Sequence, residues 1–346
     1  MLIKKFNDIR LIKSEWVELY DKNPTLTPYQ SYTWNLLLQN QFRHPINWLS
    51  RVFINGYARI EYWTFSENEN YAIAPLIIYT NKAKIHIFGQ QEDLTDYLSF
   101  VFNDKISEKF LIICIQALQK EYPQFNFVFD RVNELNIKMR NACMKVSVDF
   151  QEKNCVKIAV IDQLISKVKL HPRRYWKKGL NRIDADSLML SFSFNQIIIE
   201  EKELNFLLHH YIKRKTNKNN YSLSKQFLLY SFQFLHNCTG NKNDMVSLFC
   251  SNNAEIFVAK CLINNLLAAY MLCISRNETL YLLRISFDDS FFKYRPGILL
   301  LVETINHLSK NIPTINFFDL TRGDDSYKLE YGGYIHYNYC FAFNKP

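Results

Sequence analysis

Apolar positions change period along this chain, and each change marks an element. Leu11 to Tyr20 carries an apolar side around Trp16 and predicts a short helix. Asn23 to Pro28 reads as a turn and Tyr32 to Gln41 as a second helix. Arg51 to Ile54, Arg59 to Thr64 and Ala72 to Tyr79 alternate or run apolar, as strands do. Ile85 to Gly89 is a further short strand that ends in the loop GQQEDLTDY. Ser107 to Tyr122 returns to helical spacing, Pro123 stops it, and Phe125 to Asp130 is again strand-like.

A new unit begins around Lys153 to Val160, so the chain divides into domains at 1–150 and 151–346. Asp162 is suited to cap a helix that Pro172 restarts. Leu188 to Phe194 predicts a strand, and Glu200 to Lys215 and Ser224 to Leu235 predict helices. An antiparallel meander follows over Met245 to Cys250, Glu255 to Leu262, Leu266 to Ile274 and Thr279 to Ile285. Its turns fall at Asn252-Asn253, Asn264-Asn265 and Arg276-Asn277, and asparagine tolerates the positive φ of tight hairpins. Gly297 to Leu308 is then helical, Thr314 to Leu320 is a strand, and Tyr334 to Phe343 is a final alternating strand. The resulting class is α/β (α+β), with a mixed, largely antiparallel sheet flanked by helices in each unit. The two halves share a loosely similar element order, which leaves a duplicated fold open.

Composition narrows the class only a little. A hydrophobic fraction of 48% over 346 residues is that of a folded protein with room for one large domain or two ordinary ones. The net charge of +9 suits nucleic acid, a membrane surface or a phosphate-bearing cofactor equally well. Cys114, Cys143, Cys155, Cys238, Cys250, Cys261, Cys273 and Cys340 are scattered without a CxxC pair, which predicts buried reduced thiols. No apolar run approaches the about 20 residues of a membrane span, and the N-terminus lacks a signal-peptide core. The expectation is a cytoplasmic protein, with peripheral membrane contact left open.

The densest chemistry lies between Phe291 and Gly333. A Pro-Gly turn precedes an apolar helix. A short apolar strand then ends in a polar loop with Asp319, Arg322, Asp324, Asp325, Tyr327 and Lys328. A second concentration of charge is the segment with Lys167, Lys169, His171, Arg173, Arg174, Lys177, Lys178 and Arg182, interleaved with Tyr175 and Trp176. Its readings are a solvated helix face with Trp176 turned to the core, a contact to phosphate or anionic glycan, or a nucleic-acid contact. His209-His210 are adjacent, and no HExxH, metal-ligand spacing or GxSxG elbow occurs, so no metal site is expected.

The element order, together with Tyr294 to Leu301 and Phe318 to Lys328, resembles the GNAT superfamily of acyltransferases. The match of Pro296-Gly297, Asp319, Arg322-Gly323-Asp324 and Tyr327-Lys328 is similar to the CelD-like branch, linked to bacterial polysaccharide biosynthesis and the cell envelope. That branch in turn resembles the Fem-type aminoacyl transferases, which pair two GNAT-like domains. HPRRYWKKGLNRI resembles the basic helix opening the family's second domain, and PYQSYTWN, IAPLIIY and FGQQEDLTDY resemble segments of its first.

The resemblance implies two tandem GNAT-like units, with the first binding acceptor or serving as a buttress and the second catalytic. It implies an acyl-CoA co-substrate, acetyl-CoA above all, whose diphosphate meets the helix start at Lys293, Tyr294, Arg295, Pro296, Gly297 and Ile298. Asp324 is the first candidate for the base and Asp319 the second, with Tyr327 facing the leaving thiolate. Arg322 and Lys328 are expected to hold a substrate phosphate or carboxylate, with Arg174 and Trp176 adding acceptor contacts. The expected reaction is direct transfer of an acetyl or other acyl group from acyl-CoA to an amino group of a sugar, sugar-nucleotide or cell-envelope precursor. One alternative is Fem-type transfer from aminoacyl-tRNA to a peptidoglycan precursor, the only reading that brings in nucleic acid. Another is a non-catalytic binding module, motivated by a phosphate turn poorer in Gly than the superfamily's usual loop.

Overall fold

The computed structural model describes residues 1–43, 57–90, 95–162, 164–195 and 256–343, together with Lys202, Glu203, Phe206, His209 and His210. The predicted strands Arg51 to Ile54 and Met245 to Cys250, the helix Ser224 to Leu235, most of the helix Glu200 to Lys215, and Cys238 and Cys250 lie outside the described residues. The chain forms two units. Unit 1 comprises Met1–Cys155 and His336–Pro346, and unit 2 comprises Val156–Ile335.

Unit 1 contains strands β1 (Leu2–Phe6), β2 (Ala58–Glu67), β3 (Asn70–Tyr79), β4 (Lys84–Ile87), β5 (Val101–Phe102) and β6 (Asn126–Asn133). Its helices are α1 (Lys13–Lys22), α2 (Tyr32–Arg43), α3 (Glu108–Glu121) and α4 (Ile137–Val146). The path β1-β2-β3-β4-β6 is antiparallel except at β4 and β6, and β5 pairs with β3 off the path. α3 starts as the sequence predicts, with the Ser107 hydroxyl accepting from the Phe110 N–H at 3.1 Å. Leu111, Cys114, Ile115 and Leu118 of that helix bury against Leu76, Ile78, Phe127 and Phe129 of the sheet.

The chain leaves unit 1 within β7 (Asp149–Ala159). Unit 2 holds helices α5 (Leu164–Lys167) and α6 (Leu170–Ala185), strands β8 (Leu190–Asn195), β9 (Ile256–Ile263), β10 (Leu266–Arg276) and β11 (Thr279–Phe287), helix α7 (Pro296–Asn311), strand β12 (Phe317–Arg322) and helix α8 (Ser326–Glu330). The last strand, β13 (Gly333–Phe343), rejoins unit 1 from His336 and pairs antiparallel with β6, placing Asn338 opposite Asn133 and Phe343 opposite Phe127.

Three strands of the predicted meander are present as β9, β10 and β11; β8 pairs antiparallel with β9, and β12 adds to β11 in parallel, giving the order β12-β11-β10-β9-β8. Asn264, Asn265 and Asn277 occupy the hairpin turns with φ of 49°, 62° and 52°, the backbone state for which asparagine was the sequence signal. α7 buries Leu299, Val302, Ile305 and Leu308 against Ala259, Cys261, Met271 and Cys273. Cys114, Cys143, Cys155, Cys261 and Cys273 are buried free thiols, and Cys340 is half-buried. Among the described residues no helix is long and apolar enough to cross a membrane.

His86 on β4 gives unit 1 a pH dependence. Burial holds its imidazole down at about 4, with Lys84 and Lys82 adding to the effect and Asp130 opposing it. Its Nε2 atom is buried without a hydrogen-bond partner. The folded-state pKa is depressed, so the neutral ring's contribution is intact above about 6.5 and is lost as pH falls toward 4. Urea denaturation at pH 7 and near pH 4.5 is expected to show a loss of roughly 2 to 3 kcal/mol that His86→Gln removes.

Candidate functional site

β11 and β12 are hydrogen-bonded as parallel neighbours only where Thr279, Leu280 and Tyr281 face Phe317, Phe318 and Asp319. Beyond that point β11 runs on to Phe287 and β12 to Arg322, so the two strands part. The register of β11 on β10 also slips: Leu272 faces Arg284 while Cys273 faces Leu282, which leaves Leu283 as a β-bulge. Successive strand residues point to opposite faces, and the extra residue resets that alternation. Leu282 therefore shares a face with Ile285 and Phe287, and all three line a groove of about 280 Å³. Leu301 of α7 and Leu320 of β12 complete its apolar wall.

The start of α7 forms the mouth of that groove through Arg295, Pro296, Gly297 and Ile298. Arg295 caps the helix in the left-handed conformation, with φ of 56°, and Pro296 takes the first helical position. Pro296 brings no N–H, and the N–H groups of Ile298 and Leu299 both donate to the Arg295 carbonyl, at 3.0 and 3.2 Å. Few donors are left at this helix start for an anion. A Cβ on Gly297 would stand 3.4 Å from Phe287 Cδ1, so this glycine abuts the groove wall.

The cations predicted to serve this turn have other duties. The Lys293 ammonium donates to Asp186 Oδ2 at 2.6 Å, as does the Tyr294 hydroxyl at 2.6 Å. The pair holds the Asp186 carboxyl below its ordinary range. Arg182 donates to the Lys293 carbonyl at 2.8 Å. The Arg295 guanidinium lies over the Tyr175 ring, 4.2 Å from its centroid. Gly179 allows this close fit, because a Cβ there would meet the Tyr294 carbonyl oxygen at 2.7 Å. Lys293 and Tyr294 thus fasten the turn to the end of α6 and do not line the groove.

The polar loop divides its residues between wall, frame and surface. Tyr327, 39% exposed, lines the groove. Asp319 is buried, and its Oδ1 accepts from the Thr321 N–H at 2.7 Å. That bond helps hold Thr321 at φ of 57°, a costly state for a β-branched residue. Lys328 is also buried. Its ammonium donates to the carbonyls of Leu320, Arg322 and Gly323 at 3.0, 2.6 and 3.1 Å, so it organises the loop's main chain instead of facing the groove. Arg322 is half-buried, and Asp324 is exposed beside it; neither lines the groove. Of the two base candidates, Asp319 is the buried one and Asp324 the exposed one.

Arg174 is exposed on α6, and Trp176 is partly buried against the unit 2 core with its Nε1 lacking a partner. Neither lines the groove. Among the described residues no cluster of His, Cys, Asp or Glu is arranged to hold a metal. Reading the sequence missed Asp186 as the anchor of the turn and Phe287 and Phe292 as groove residues. Strand position and an Asp at a helix end carry no such signal by themselves.

Residues 243–329 match the acetyltransferase (GNAT) domain family. Among solved structures, FemX is similar over 99% of this chain and 98% of its own, at 9% identity and a TM-score of 0.56. The C-terminal domain of a putative lysylphosphatidylglycerol synthetase from Agrobacterium fabrum is similar over 96% of this chain and 93% of its own, at 10% identity and a TM-score of 0.52. A conserved protein of unknown function from Bacteroides thetaiotaomicron VPI-5482 gives 12% identity and a TM-score of 0.51 over 99% of this chain and 100% of its own. At these identities the likeness shows the fold alone. None of the curated proteins matches the chain by sequence.

Proposed function

We propose that unit 2 binds an acyl-CoA thioester in the groove between β11 and β12 and transfers its acyl group to an acceptor amine. The observation that carries this reading is the parting of two parallel strands over an apolar groove whose mouth is the start of α7. The β11–β12 ladder ends at Tyr281, and the gap where two parallel strands part suits an extended pantetheine arm. The match of residues 243–329 to the GNAT domain supports the same reading.

In the proposed step the acceptor nitrogen attacks the thioester carbonyl carbon, the C–S bond breaks, and the acyl group leaves sulfur for nitrogen. Tyr327, on the groove wall, gives its proton to the departing thiolate. Asp324, exposed at the loop, receives the proton that the amine loses. Acetyl is the acyl group proposed, and the acceptor is an amino group on a sugar or cell-envelope precursor in a polysaccharide-forming pathway. The similarity in fold to FemX, together with the sequence resemblance to Fem-type aminoacyl transferases, supports transfer from aminoacyl-tRNA to a peptidoglycan precursor as the second reading.

Calorimetric titration and thermal melting with acetyl-CoA test the first reading. A ligand at a hundredfold excess over Kd stabilises by about 2.7 kcal/mol, which raises the melting temperature by several degrees. Gly297→Leu fills the groove and is expected to abolish the shift while the unliganded protein melts much as before. A missing shift for the parent protein at millimolar acetyl-CoA sinks the proposal and favours a binding module or the tRNA-dependent reading.

A further inference from the structure

Lysines and arginines in unit 2 fall into two groups. Arg173 donates to the carbonyls of Val168, at 2.7 Å, and Ser166. Arg182, Lys293 and Lys328 are likewise committed to main-chain oxygens or to Asp186. Lys169, Arg174, Lys177 and Lys178 are exposed and enter no side-chain hydrogen bond or ion pair among the described residues. Residues 170, 174, 177, 178 and 181 share one helical face. Pro172, Gly179 and Ile183 form the buried side of the same helix.

A row of solvated cations is ordinary on a helix. What sets this one apart is the apolar side chains around it. Leu170, in the first turn of α6 beside Lys169, is 62% exposed. α6 packs on the turn Asp289–Tyr294 and on α8. Each of these neighbours presents a large apolar residue to solvent: Phe292 at 61% and Leu329 at 37%. The three segments are tied together. Arg182 and Asp186 hold the turn, Tyr331 Oη donates to the Pro172 carbonyl at 3.2 Å, and His171 lies 3.5 Å from Glu330. Leu170 therefore shares a helical face with Arg174, Lys177 and Lys178, and the segments that carry Phe292 and Leu329 are fixed to the same helix from the side of Pro172 and Gly179, as one preformed frame.

We infer that this frame is a docking surface for an anionic phospholipid bilayer. Cations attract the surface of such a membrane, and exposed Leu and Phe gain by entering its headgroup boundary. RNA fits the frame less well, because the aromatic side chains of α6 are not available for base stacking. Tyr175 lies beneath Arg295, and Trp176 packs on the core. Docking does not depend on the acyl-transfer reading, since it needs neither a donor nor turnover. It would bring the mouth of the groove, which Phe292 also lines, close to the lipid surface.

Sedimentation of the full chain with phosphatidylcholine vesicles, with and without roughly one third phosphatidylglycerol, tests the inference. At about 0.1 M salt the protein is expected to sediment with the anionic vesicles at least about tenfold more strongly than with the neutral ones. Reversing Lys177 and Lys178 together to glutamate should weaken partitioning by about thirtyfold or more, from the cationic attraction lost. Leu170→Ser with Leu329→Ser should weaken it several-fold with every charge kept. All four positions are exposed, so unchanged melting is expected and confirms that the variants remain folded. No sedimentation with anionic vesicles overturns the inference. So does full retention by the serine variant, which would reduce the effect to generic charge. Tight, stacking-dependent binding of a stem-loop RNA without vesicle binding overturns it in favour of nucleic acid.

Discussion

Gly333→Ala is expected to destabilise unit 2 by about 3 kcal/mol, whereas the same change at the adjacent Gly332 costs only about 1 kcal/mol. The two glycines are needed for different reasons. A Cβ on Gly333 would lie 2.4 Å from Val156 Cγ1 and 2.5 Å from the Lys328 carbonyl oxygen. One of those obstacles is main chain and the other is a stiff β-branched side chain, so neither yields without moving its element. Gly332 has φ of 85° and nothing within 4 Å of the Cβ it lacks, so alanine there pays only for the left-handed backbone. Urea denaturation of both variants checks the contrast. Equal midpoints would show that β13 can shift away from α8 at little cost.

Lys328→Met should be comparably severe and should reach function as well as stability. The ammonium is surrounded by the carbonyls of Leu320, Arg322 and Gly323, with Asp325 Oδ2 at 3.9 Å. Methionine keeps the length of the side chain and removes every donor. Each carbonyl left buried and unpaired costs about 1 to 3 kcal/mol, less where water reaches it, so a total of about 3 to 5 kcal/mol is expected. The loop from Thr321 to Asp325 holds both a strained β-branched residue and Gly323 at φ of 90°, and it leads directly to Tyr327 on the groove wall. Loss of ligand binding at temperatures where the variant is still folded would separate this shaping role from stability. Lys328→Arg is not expected to rescue it, since a planar fork cannot replace a compact three-donor head.

Local signals in the sequence translated well. Asn264-Asn265 and Asn277 mark their turns because few other residues accept positive φ, and Pro296 marks the start of α7 because its fixed φ suits a first helical turn. Signals that depend on a neighbouring strand did not. The bulge at Leu283 exists only relative to β10, and it decides that Leu282 faces the groove. Lys328 sits in a polar run that reads as substrate-binding, and only the curl of the main chain around it turns it inward to structural carbonyls. Lys293 looked like a phosphate cation because its partner, Asp186, lies more than a hundred residues away in sequence. The alternating pattern of β13 announces a strand without naming its neighbour, which proves to be β6 of the other half.

The route of the chain constrains the order in which the protein can be assembled. Unit 2 is continuous, from Val156 to Ile335, while unit 1 waits for His336 and the residues after it. During synthesis the ribosome must deliver all of unit 2 before the strand that covers β6 emerges. Until then β6 presents an unpaired rim carrying Phe127 and Phe129, the sort of edge that recruits foreign strands. A nascent chain stalled inside unit 2 is thus the species most exposed to misassembly.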